Sequence, residues 1–421
     1  KEAFYIASTG KPGPVLIDVP TDVSSGCVPW TPRNIEALDA YEVPEPPDAA
    51  AIERAAEMIA KAERPVMMIG GGVVNGNASD EIRELSAKCN LAVVHTLMAK
   101  GCFPESHELS MGMPGMHGMA YASYAIQHSD LLVVIGARFD DRITGDLSRF
   151  APDAQVIHID IDPAEIDKVR YANIGIACDA KTATRALIEA ATARERGAWE
   201  ERLITYKREH PLGYTDDDEL MAPQFVVEKL HEVTGGKAII ATEVGQNQMW
   251  AAQYYGLDEP RKWCTSGGLG TMGYGHPAAI GAQFGRPGEL VVDIAGDGSI
   301  QMNMQELTTG TIHKLPYKII ILNNSFLGMV RQWQDMFYDK RYSGVDLTGN
   351  PDFVKLAEAH GAVGLRCGDR DKVVETLERA MEVDDGPVMV DFVVSKEQNV
   401  FPMIPAGKSF ENLIGCPMAR K

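Results

Sequence analysis

The stretch VVDIAGDGSIQMNMQELTTGTIHKLPYKIIILNN, which covers residues 291–324, predicts two buried apolar strands joined by a helix. The first strand ends in a glycine–aspartate–glycine turn (residues 296–298, the GDG turn), and the second ends in two asparagines (residues 323–324, the NN pair). A strand–helix–strand unit makes its two strands parallel, so both strand ends lie at the carboxyl edge of one sheet. Open α/β sheets bind their ligands at that edge.

The two strand ends offer oxygen ligands, a carboxylate on Asp297 and an amide oxygen on Asn324. Gly296 and Gly298 let the backbone come close to a ligand, and the helix that follows the GDG turn presents free N–H groups to an anion. Mg²⁺ takes hard oxygen ligands and usually meets phosphates through only one or two carboxylates. The pattern therefore predicts a Mg²⁺ ion that carries a diphosphate.

The bulk composition narrows the class of protein. A length of 421 residues with 45% hydrophobic and 24% charged residues predicts a globular protein of two or three domains. The net charge of −19 disfavours nucleic acid and anionic membrane as partners, and no apolar run approaches the roughly 20 residues of a membrane span. The seven cysteines show no C-x-x-C spacing, which indicates reduced thiols in a bacterial cytoplasm or an organellar matrix.

Regular alternation of predicted strands and helices over residues 48–180 indicates a doubly wound, Rossmann-like domain. The chain begins at Lys1 without Met, and its first predicted strand, residues 15–19, needs a sheet to join. We therefore expect it to lack most of a preceding domain. We predict six segments: the end of an N-terminal domain (1–27), a Pro-rich linker (28–47), a central domain (48–180), a charged connector (181–221), a third domain (222–394) and a tail (395–421).

Glycine-rich and charged loops at predicted strand ends are the ligand signals of the central domain. The triplet at residues 70–72 is not the G-x-G-x-x-G dinucleotide fingerprint, because Asn75 stands where the third glycine is needed. Further candidates are the loops MGMPGMHG at residues 111–118 and GARFDDRITG at residues 136–145. The four charges of the second loop fit either a ligand-binding loop or a solvated salt-bridge turn.

The spacing of the GDG turn and the NN pair, with 24 residues between Gly298 and Asn323, resembles the motif of thiamine-diphosphate enzymes. Together with TSGGLGTMGYG (residues 265–275) and GMVRQWQ (residues 328–334), it closely resembles the catalytic large subunit of the acetolactate synthase family over essentially the whole chain. Members of that family are transferases of valine and isoleucine biosynthesis. They join pyruvate to a second pyruvate or to 2-ketobutyrate and release CO₂. It uses thiamine diphosphate, Mg²⁺ and an FAD that is not turned over.

The resemblance implies a role for each matching position of the third domain. Asp297, Asn324 and the carbonyl of Phe326 would bind Mg²⁺. Met272 resembles the bulky residue that bends thiamine diphosphate, while Met329, Val330 and Trp333 resemble the pocket that selects the second ketoacid. With Gln246, the residues Met272, Met329 and Trp333 form the implied catalytic set. The implied thiamine-diphosphate contacts are Val244, Gly245, Gln246, Asn247, Gln248, Gly270, Met272, Gly296, Asp297, Gly298, Ser299, Asn324, Phe326, Leu327, Gly328, Met329 and Val330.

The resemblance also implies a flavin site, which draws mainly on the central domain. Its matching positions are Lys11, Gly70, Gly71, Gly72, Thr96, Leu97, Gly115, Met116, His117, Gly136, Ala137, Arg138, Asp140, Arg142, Ile143, Asp160, Ile161 and Asp179.

Some features depart from the family pattern. Thr21, Lys11 and Asn247 stand where relatives commonly have Lys, Arg and His. The family's activating glutamate lies in the N-terminal domain, and no residue here matches it. We therefore expect the chain alone to be weakly active or inactive.

The resemblance implies 2-ketoacid substrates, a homodimer or a dimer of dimers, and a regulatory small subunit. Two alternatives stay open. One is another thiamine-diphosphate or FAD enzyme of 2-ketoacids, of the pyruvate oxidase or glyoxylate carboligase type. The other is a cofactor-binding fragment without catalysis. A plain dehydrogenase is disfavoured, because it would leave the GDG turn and the NN pair unexplained.

Overall fold

A computed structural model describes residues 1–30, 38, 41–43, 46–215 and 220–415. Parts of the predicted linker (31–37, 39–40, 44–45), of the connector (216–219) and of the tail (416–421, with Cys416) lie outside the described residues. The chain divides into two compact units. Unit 1 comprises Lys1–Leu91, Ser129–Phe139 and Asp153–Arg196, and unit 2 comprises Ala92–His128, Asp140–Pro152 and Gly197–Lys421.

Helices and strands alternate along most of the chain. The strands are β1 (Pro65–Ile69), β2 (Ala92–His95), β3 (Ser110–Gly112), β4 (Leu131–Ile135), β5 (Gln155–Asp160), β6 (Ile174–Ala177), β7 (Ile239–Thr242), β8 (Trp263–Thr265), β9 (Val291–Gly296), β10 (Lys318–Asn323), β11 (Val363–Cys367) and β12 (Val388–Val393). The helices are α1 (Glu2–Ser8), α2 (Thr21–Ser24), α3 (Ala49–Lys61), α4 (Gly71–Asn75), α5 (Ser79–Cys89), α6 (Ala120–Gln127), α7 (Asp141–Thr144), α8 (Ala180–Ala190), α9 (Ala198–Glu209), α10 (Pro223–Thr234), α11 (Gln246–Tyr254), α12 (Gly275–Gly285), α13 (Leu307–Ile312), α14 (Gly328–Phe337), α15 (Phe353–Ala359) and α16 (Val373–Met381).

Unit 1 contains four parallel strands in the order β1-β4-β5-β6. Their continuous apolar runs, such as LLVVI in β4, are buried on every residue, as expected for strands covered on both faces. Helix α3 begins at Asp48, whose carboxylate accepts a hydrogen bond from the N–H of Ala50 at 3.1 Å.

Unit 2 contains a six-stranded parallel sheet in the order β11-β12-β10-β9-β7-β8, and β2 pairs in parallel with β3. Neighbouring residues of one strand enter opposite cores: Val292 and Ile320 lie in one, Val291 and Ile319 in the other. Both faces of the sheet are therefore covered by helices. The predicted α/β class with parallel sheets is confirmed.

Two local predictions were wrong. Residues 15–19 pair with no strand of the described chain and lie exposed, with Leu16 94% accessible, because a strand without a neighbour has no partner for its backbone groups.

The helix that we expected directly after the GDG turn begins later in the chain. Two 3₁₀ turns (Ile300–Met302 and Met304–Glu306) come first, and α13 has only six residues. The cause is Asn303, which leaves the helical conformation while its side chain donates to the carbonyl of Gly273 at 2.6 Å.

Two absences concern only the part of the chain that the structure describes. Its six cysteines form no disulfide with one another. Within the same ranges, the helices are too short or too polar to cross a membrane.

Candidate functional site

Three strands of unit 2 end side by side at one edge of the sheet. Thr242 of β7 is opposite Ile294 of β9, and Gly296 of β9 is opposite Leu322 of β10. The loop after β7, the GDG turn and the NN pair therefore emerge together, because parallel strands in register end at the same edge. The structure places Asp297 and Asn324 at one edge of the sheet, as the strand–helix–strand pattern predicted, and Gln246 after β7 accepts a hydrogen bond from Asn324 there.

Asp297 is a buried carboxylate held by amides from later in the chain. Asn350 donates to its Oδ2 at 2.6 Å, and Gln301 donates both to the backbone carbonyl of Asp297 at 2.8 Å and to the Oδ1 of Asn350 at 2.9 Å. Burial raises the pKa of Asp297 to about 7, although the hydrogen bond from Asn350 opposes that rise. Sequence reasoning missed Asn350, because nothing in the local pattern of residues 345–352 predicts that it faces the GDG turn.

The side chain of Asn324 is fixed by two hydrogen bonds. Its Nδ2 donates to the Oε1 of Gln246 at 3.3 Å, and its Oδ1 accepts from the N–H of Phe326 at 3.1 Å. Gln246 in turn donates to the Oε1 of Gln332 at 2.9 Å, and the Nε2 of Gln332 donates to the carbonyl of Val400 at 3.1 Å. This chain of buried amides sets which atom of Asn324 is the oxygen. Gln332 is a second residue that the sequence did not single out.

The glycines around the site are explained by close protein packing. A Cβ on Gly298 would lie 2.7 Å from the Cδ2 of Leu327, and a Cβ on Gly328 would lie 2.1 Å from the Oε1 of Gln246. The loop after β10 therefore lies against the GDG turn, with no space for a side chain between them.

The turn after β10 depends on a residue with positive φ. Ser325 has φ +58°, and its N–H donates to the Oδ1 of Asn323 at 3.2 Å. Asn323 donates to Asp391 at 2.9 Å, and Arg366 donates to the other oxygen of Asp391 at 2.9 Å. These bonds hold the backbone in the conformation that presents Phe326 next to the NN pair.

The predicted cofactor residues after β7 are mostly engaged within the protein. The Nδ2 of Asn247 donates to the carbonyls of Glu243 and Ile294, at 3.1 and 2.9 Å. Gln248 donates to the hydroxyl of Thr265 at 2.7 Å. Both side chains therefore brace the strand ends.

The loop of residues 266–271 is the most exposed part of the candidate site, and Met272 follows it. Residues 267–271 are exposed, with Leu269 96% accessible, whereas Met272 is partly buried. The N–H of Thr271 donates to the hydroxyl of Ser266 at 3.0 Å, and the N–H of Gly273 donates to a buried carboxylate, Glu243, at 2.5 Å. Met272 thus lies where an exposed loop meets an anchored segment.

A cavity of about 510 Å³ lies beside α14. It is lined by Val330, Trp333, Gln334, Tyr338 and Arg341. Of the residues predicted for the ketoacid pocket, Val330 and Trp333 line this cavity, while Met329 packs against the core of the sheet. Gln334, Tyr338 and Arg341 were not predicted, although the i, i+4 spacing of residues 330 and 334 could have indicated a shared helix face.

The predicted flavin residues of unit 1 lie at strand ends. The turns after β1 and β4 touch: the N–H of Gly72 donates to the carbonyl of Gly136 at 3.0 Å, and a Cβ on Gly70 would lie 2.2 Å from that carbonyl. Asp160 ends β5 and Asp179 begins α8, while Lys11 pairs with Asp162 at 3.1 Å. The remaining predicted residues of this unit, Gly71, Ala137, Arg138 and Ile161, flank these turns.

The predicted flavin residues of unit 2 form a second group. The N–H of Met116 donates to the carbonyl of Arg142 at 2.8 Å, and a Cβ on Gly115 would lie 2.3 Å from the same carbonyl. Asp140 begins α7 by accepting from the N–H of Arg142, and Ile143 lies in that helix. Burial of its ring, together with the charge of Arg142, lowers the pKa of His117 to about 4. Thr96 and Leu97 directly follow β2.

The donor set at the sheet edge excludes one class of metal site. Across residues 1–30, 38, 41–43, 46–215 and 220–415, no group of three His, Cys, Asp or Glu side chains could hold a metal ion. A cation at Asp297 would need amide, carbonyl and ligand oxygens, which are ligands that Mg²⁺ prefers and Zn²⁺ does not.

Two family models match the chain. The thiamine pyrophosphate enzyme central domain matches residues 52–187, and the thiamine pyrophosphate enzyme C-terminal TPP binding domain matches residues 243–392. The second match contains the GDG turn, the NN pair and α14.

Curated relatives match nearly the whole chain. It is 46% identical to the acetolactate synthase of Mycobacterium bovis over 98% of this chain and 68% of that protein. It is 47% identical to the acetolactate synthase large subunit of Corynebacterium glutamicum, over 97% of this chain and 67% of that protein. It is 42% identical to the chloroplastic acetolactate synthase 1 of Nicotiana tabacum, over 98% of this chain and 64% of that protein.

Proposed function

Because the chain belongs to the acetolactate synthase large-subunit family of thiamine-diphosphate enzymes, we propose that it joins pyruvate to a second 2-ketoacid with loss of CO₂. The second ketoacid is pyruvate or 2-ketobutyrate, and the cofactors are thiamine diphosphate, Mg²⁺ and FAD. The observation that carries the proposal is the common edge at which β7, β9 and β10 end, where Asp297 follows β9 and Asn324 donates a hydrogen bond to Gln246.

The donor set fits a magnesium diphosphate. Asp297 is a buried carboxylate, and the ion pairs of the described residues do not include it. A buried carboxylate without a cationic partner is destabilised, and a divalent cation would relieve that cost. The oxygen of Asn324 and the carbonyl of Phe326 would complete the protein ligands, with phosphate oxygens supplying the rest.

Thiamine diphosphate, when bound, would supply a carbon nucleophile that adds to the carbonyl of a 2-ketoacid and a cationic ring that takes up the electron pair left when CO₂ departs. The protein holds and orients the cofactor. Val244 and Gly245 present backbone groups at the sheet edge, Met272 follows the exposed loop, and Gln246 fixes the amide of Asn324. Positioning of this kind accounts for much of the catalysis when the cofactor performs the chemistry.

The cavity beside α14 fits the second ketoacid. Trp333 and Val330 give it apolar walls, and Arg341 adds a positive charge suited to a carboxylate. Its volume of about 510 Å³ exceeds that needed by a small ketoacid such as pyruvate or 2-ketobutyrate. We therefore assign the choice of second substrate to Trp333 and Val330, with Met329 supporting α14 from the core side.

For the flavin, Asp160 is the strongest single feature. It is a buried carboxylate at the carboxyl end of β5, burial raises its pKa, and one of its oxygens accepts from the N–H of Asp162 at 2.9 Å. A strand-end carboxylate of this kind suits the hydroxyls of a ribose. The residues that match the family's flavin positions would hold FAD, whose redox chemistry the carboligation does not use.

The assembly and compartment follow the family. We infer a homodimer or a dimer of dimers that binds a regulatory small subunit, in a bacterial cytoplasm or an organellar matrix.

The test is acetolactate formation from pyruvate with thiamine diphosphate, Mg²⁺ and FAD. It is run on the 421-residue chain and on the same chain joined to the N-terminal segment of the Corynebacterium glutamicum relative. Acetolactate as the main product from the joined protein supports the proposal. Acetaldehyde or acetate as the main product would instead indicate a sister activity, and bound cofactor without turnover would indicate a non-catalytic cofactor-binding protein.

A further inference from the structure

We propose that Glu243 is a positioning residue of the thiamine-diphosphate site: its carboxylate fixes the segment that follows Met272 against the end of β7. This inference rests on the proposed function for the role of Met272. Neither the sequence pattern nor the family comparison singles out Glu243.

Glu243 is completely buried and binds only backbone groups. Its two oxygens accept from the N–H of Gly273 at 2.5 Å and from the N–H of His276 at 3.0 Å, and the N–H groups of Tyr274 and Gly275 also lie within its reach. The N–H groups of Tyr274, Gly275 and His276 belong to the start of α12, where a helix leaves its first N–H groups without internal partners, and Gly273 directly precedes that start. A carboxylate there is also favoured by the helix dipole.

The hydrogen bond to Gly273 acts directly on Met272. The N–H of Gly273 and the carbonyl of Met272 belong to one planar peptide group, so fixing the N–H fixes the plane that leaves Met272. The carbonyl of Gly273 is held as well, because the side chain of Asn303 donates to it at 2.6 Å. On the other side of Met272 lie the exposed residues 267–271, where the N–H of Thr271 donates a hydrogen bond to the hydroxyl of Ser266. The carboxylate of Glu243 therefore fixes the backbone on the C-terminal side of Met272.

Glu243 also joins two parts of the site. It directly precedes Val244, and its own N–H donates to the carbonyl of Ile294 in β9 at 3.2 Å. One residue thus connects the strand end that presents Val244 to the segment that presents Met272. A shift of this carboxylate would change the distance between the two regions that meet the cofactor.

A second carboxyl group, Asp293, determines where the negative charge lies. Asp293 faces the same side of the sheet as Glu243, because its partner in the parallel register is Ala241, two residues before Glu243. Both carboxyl groups lie beside Gly275: a Cβ there would lie 2.3 Å from Asp293 Oδ1, and the N–H of Gly275 lies within reach of the Glu243 carboxylate. Two buried carboxylates this close do not both ionise.

The hydrogen bonds assign the proton to Asp293. Among the described residues no donor reaches either of its oxygens, and burial followed by the charge of Glu243 raises its pKa well above the ordinary value. Burial also raises the pKa of Glu243, but four N–H groups oppose that rise. The groups packed around the pair are neutral: burial lowers the pKa of His276 to about 4, and burial raises the pKa of Tyr317. Glu243 is therefore the ionised member.

The experiment compares Glu243→Gln with Asp293→Asn, two carboxyl-to-amide changes within one pair, in the 421-residue chain joined to the N-terminal segment of the Corynebacterium glutamicum relative. Thiamine-diphosphate affinity is measured by calorimetry at saturating Mg²⁺, and amide hydrogen exchange is followed at residues 273–276 with and without cofactor. We expect Glu243→Gln to weaken cofactor binding about tenfold or more and to speed exchange at residues 273–276, because an amide cannot accept four N–H groups as a carboxylate does. Asp293→Asn should change the affinity less than about twofold, since it replaces one uncharged group by another.

Two results would overturn the inference. One is Glu243→Gln with unchanged affinity and unchanged amide hydrogen exchange at residues 273–276. The other is Asp293→Asn as damaging as Glu243→Gln, which would place the charge on Asp293. If Glu243→Gln does not fold, Glu243→Asp takes its place. That variant keeps the negative charge but shortens the side chain by one methylene, and it is compared with Asp293→Asn in the same two measurements. Parent protein that binds no thiamine diphosphate would overturn the proposed function instead, while exchange at residues 273–276 would still report on the hydrogen bonds to Glu243.

Discussion

The side-chain amide of Asn350 donates a 2.6 Å hydrogen bond to the carboxylate of Asp297, 53 residues earlier in the chain. Gln301 holds Asn350 in place by donating to its Oδ1 at 2.9 Å. The proposed metal ligand thus owes its orientation to residues outside the GDG turn. Residues that orient a metal ligand commonly affect metal affinity almost as strongly as the ligand itself.

Asn350→Ala should weaken Mg²⁺-dependent binding of thiamine diphosphate about 10- to 100-fold, because the buried carboxylate loses its side-chain donor. The measurement is a Mg²⁺ titration at fixed cofactor concentration, followed by tryptophan fluorescence. Gln305→Ala is the control, since it removes an exposed amide from the segment that follows the GDG turn. Equal Mg²⁺ affinity for Asn350→Ala and the parent protein would contradict the role of Asn350.

Mg²⁺ affinity should fall below neutral pH. Burial raises the pKa of Asp297 to about 7 in the cation-free protein, and Mg²⁺ binds only the ionised form, so a proton must leave on binding. Affinity should be constant above about pH 8 and drop about tenfold per pH unit well below pH 7. The raised pKa also means that Asp297 stabilises the cation-free fold most in acid. That contribution is lost as the pH rises through about 7.

Calorimetry in two buffers with different ionisation enthalpies would count the released proton at about pH 6.5, where the protonated form still predominates. Asp297→Asn, which has no proton to lose, is the matched variant and should bind Mg²⁺ weakly at every pH. A flat affinity between about pH 5.5 and 8 in the parent protein would show that Asp297 is already ionised without the cation.

Trp333→Leu should change which ketoacid is accepted second without slowing decarboxylation. The indole lines the cavity of about 510 Å³ with Val330 and packs on Phe337 at 5.2 Å between ring centroids. Shortening one wall changes discrimination between ketoacids that differ by one methylene, a difference of about 1–3 kcal/mol. Competition between pyruvate and 2-ketobutyrate, read as the product ratio, should shift about fivefold or more.

Phe284→Leu is the control for that change, because Phe284 is an exposed aromatic residue on α12, outside the residues that line the cavity. The same product ratio in Trp333→Leu and the parent protein would remove Trp333 from the substrate pocket.

Glu105→Gln should destabilise unit 2 by about 3 kcal/mol, because it leaves a buried lysine without its partner. The ammonium of Lys100 lies 2.7 Å from both oxygens of Glu105, and His95 lies 3.0 Å from one of them. Burial acts to raise the pKa of Glu105, but Lys100 and His95 outweigh it and lower the pKa from 4.5 to about 2.

The stabilisation from Glu105 is therefore present above about pH 4.5 and is lost as the pH falls through about 2. Thermal unfolding between about pH 3 and 7 measures this dependence, and Glu84→Gln, at an exposed helical position, serves as the control. Equal melting temperatures of Glu105→Gln and the parent protein at neutral pH would show that the buried pair contributes nothing to stability.

The α/β class and the site region could be predicted because they depend on short-range patterns. Runs such as VVDIA and KIIIL indicate buried strands by composition alone, and their connection by one helical segment makes them parallel. Residues that directly follow such strands must lie at one edge, so the pattern alone predicts that Asp297 and Asn324 lie together. The flavin positions came only from the resemblance and stay a prediction.

The wrong prediction of a helix directly after the GDG turn has a long-range cause. The helix after the GDG turn is delayed because Asn303 binds the carbonyl of Gly273, 30 residues away. The short-range pattern of residues 299–312 does not predict that hydrogen bond.

The sequence by itself determined the class of fold, the family and the pair of strand ends that carry Asp297 and Asn324, because these follow from hydrophobic pattern and chain connectivity. The tertiary structure decided which side chains hold that pair: Asn350 on Asp297, Gln246 on Asn324 and Glu243 on the segment after Met272. The physical reason is that a buried polar group must find its hydrogen-bond partners wherever the folded chain places them. Those partners lie 30 to 78 residues apart, a separation over which local sequence carries no information about contact.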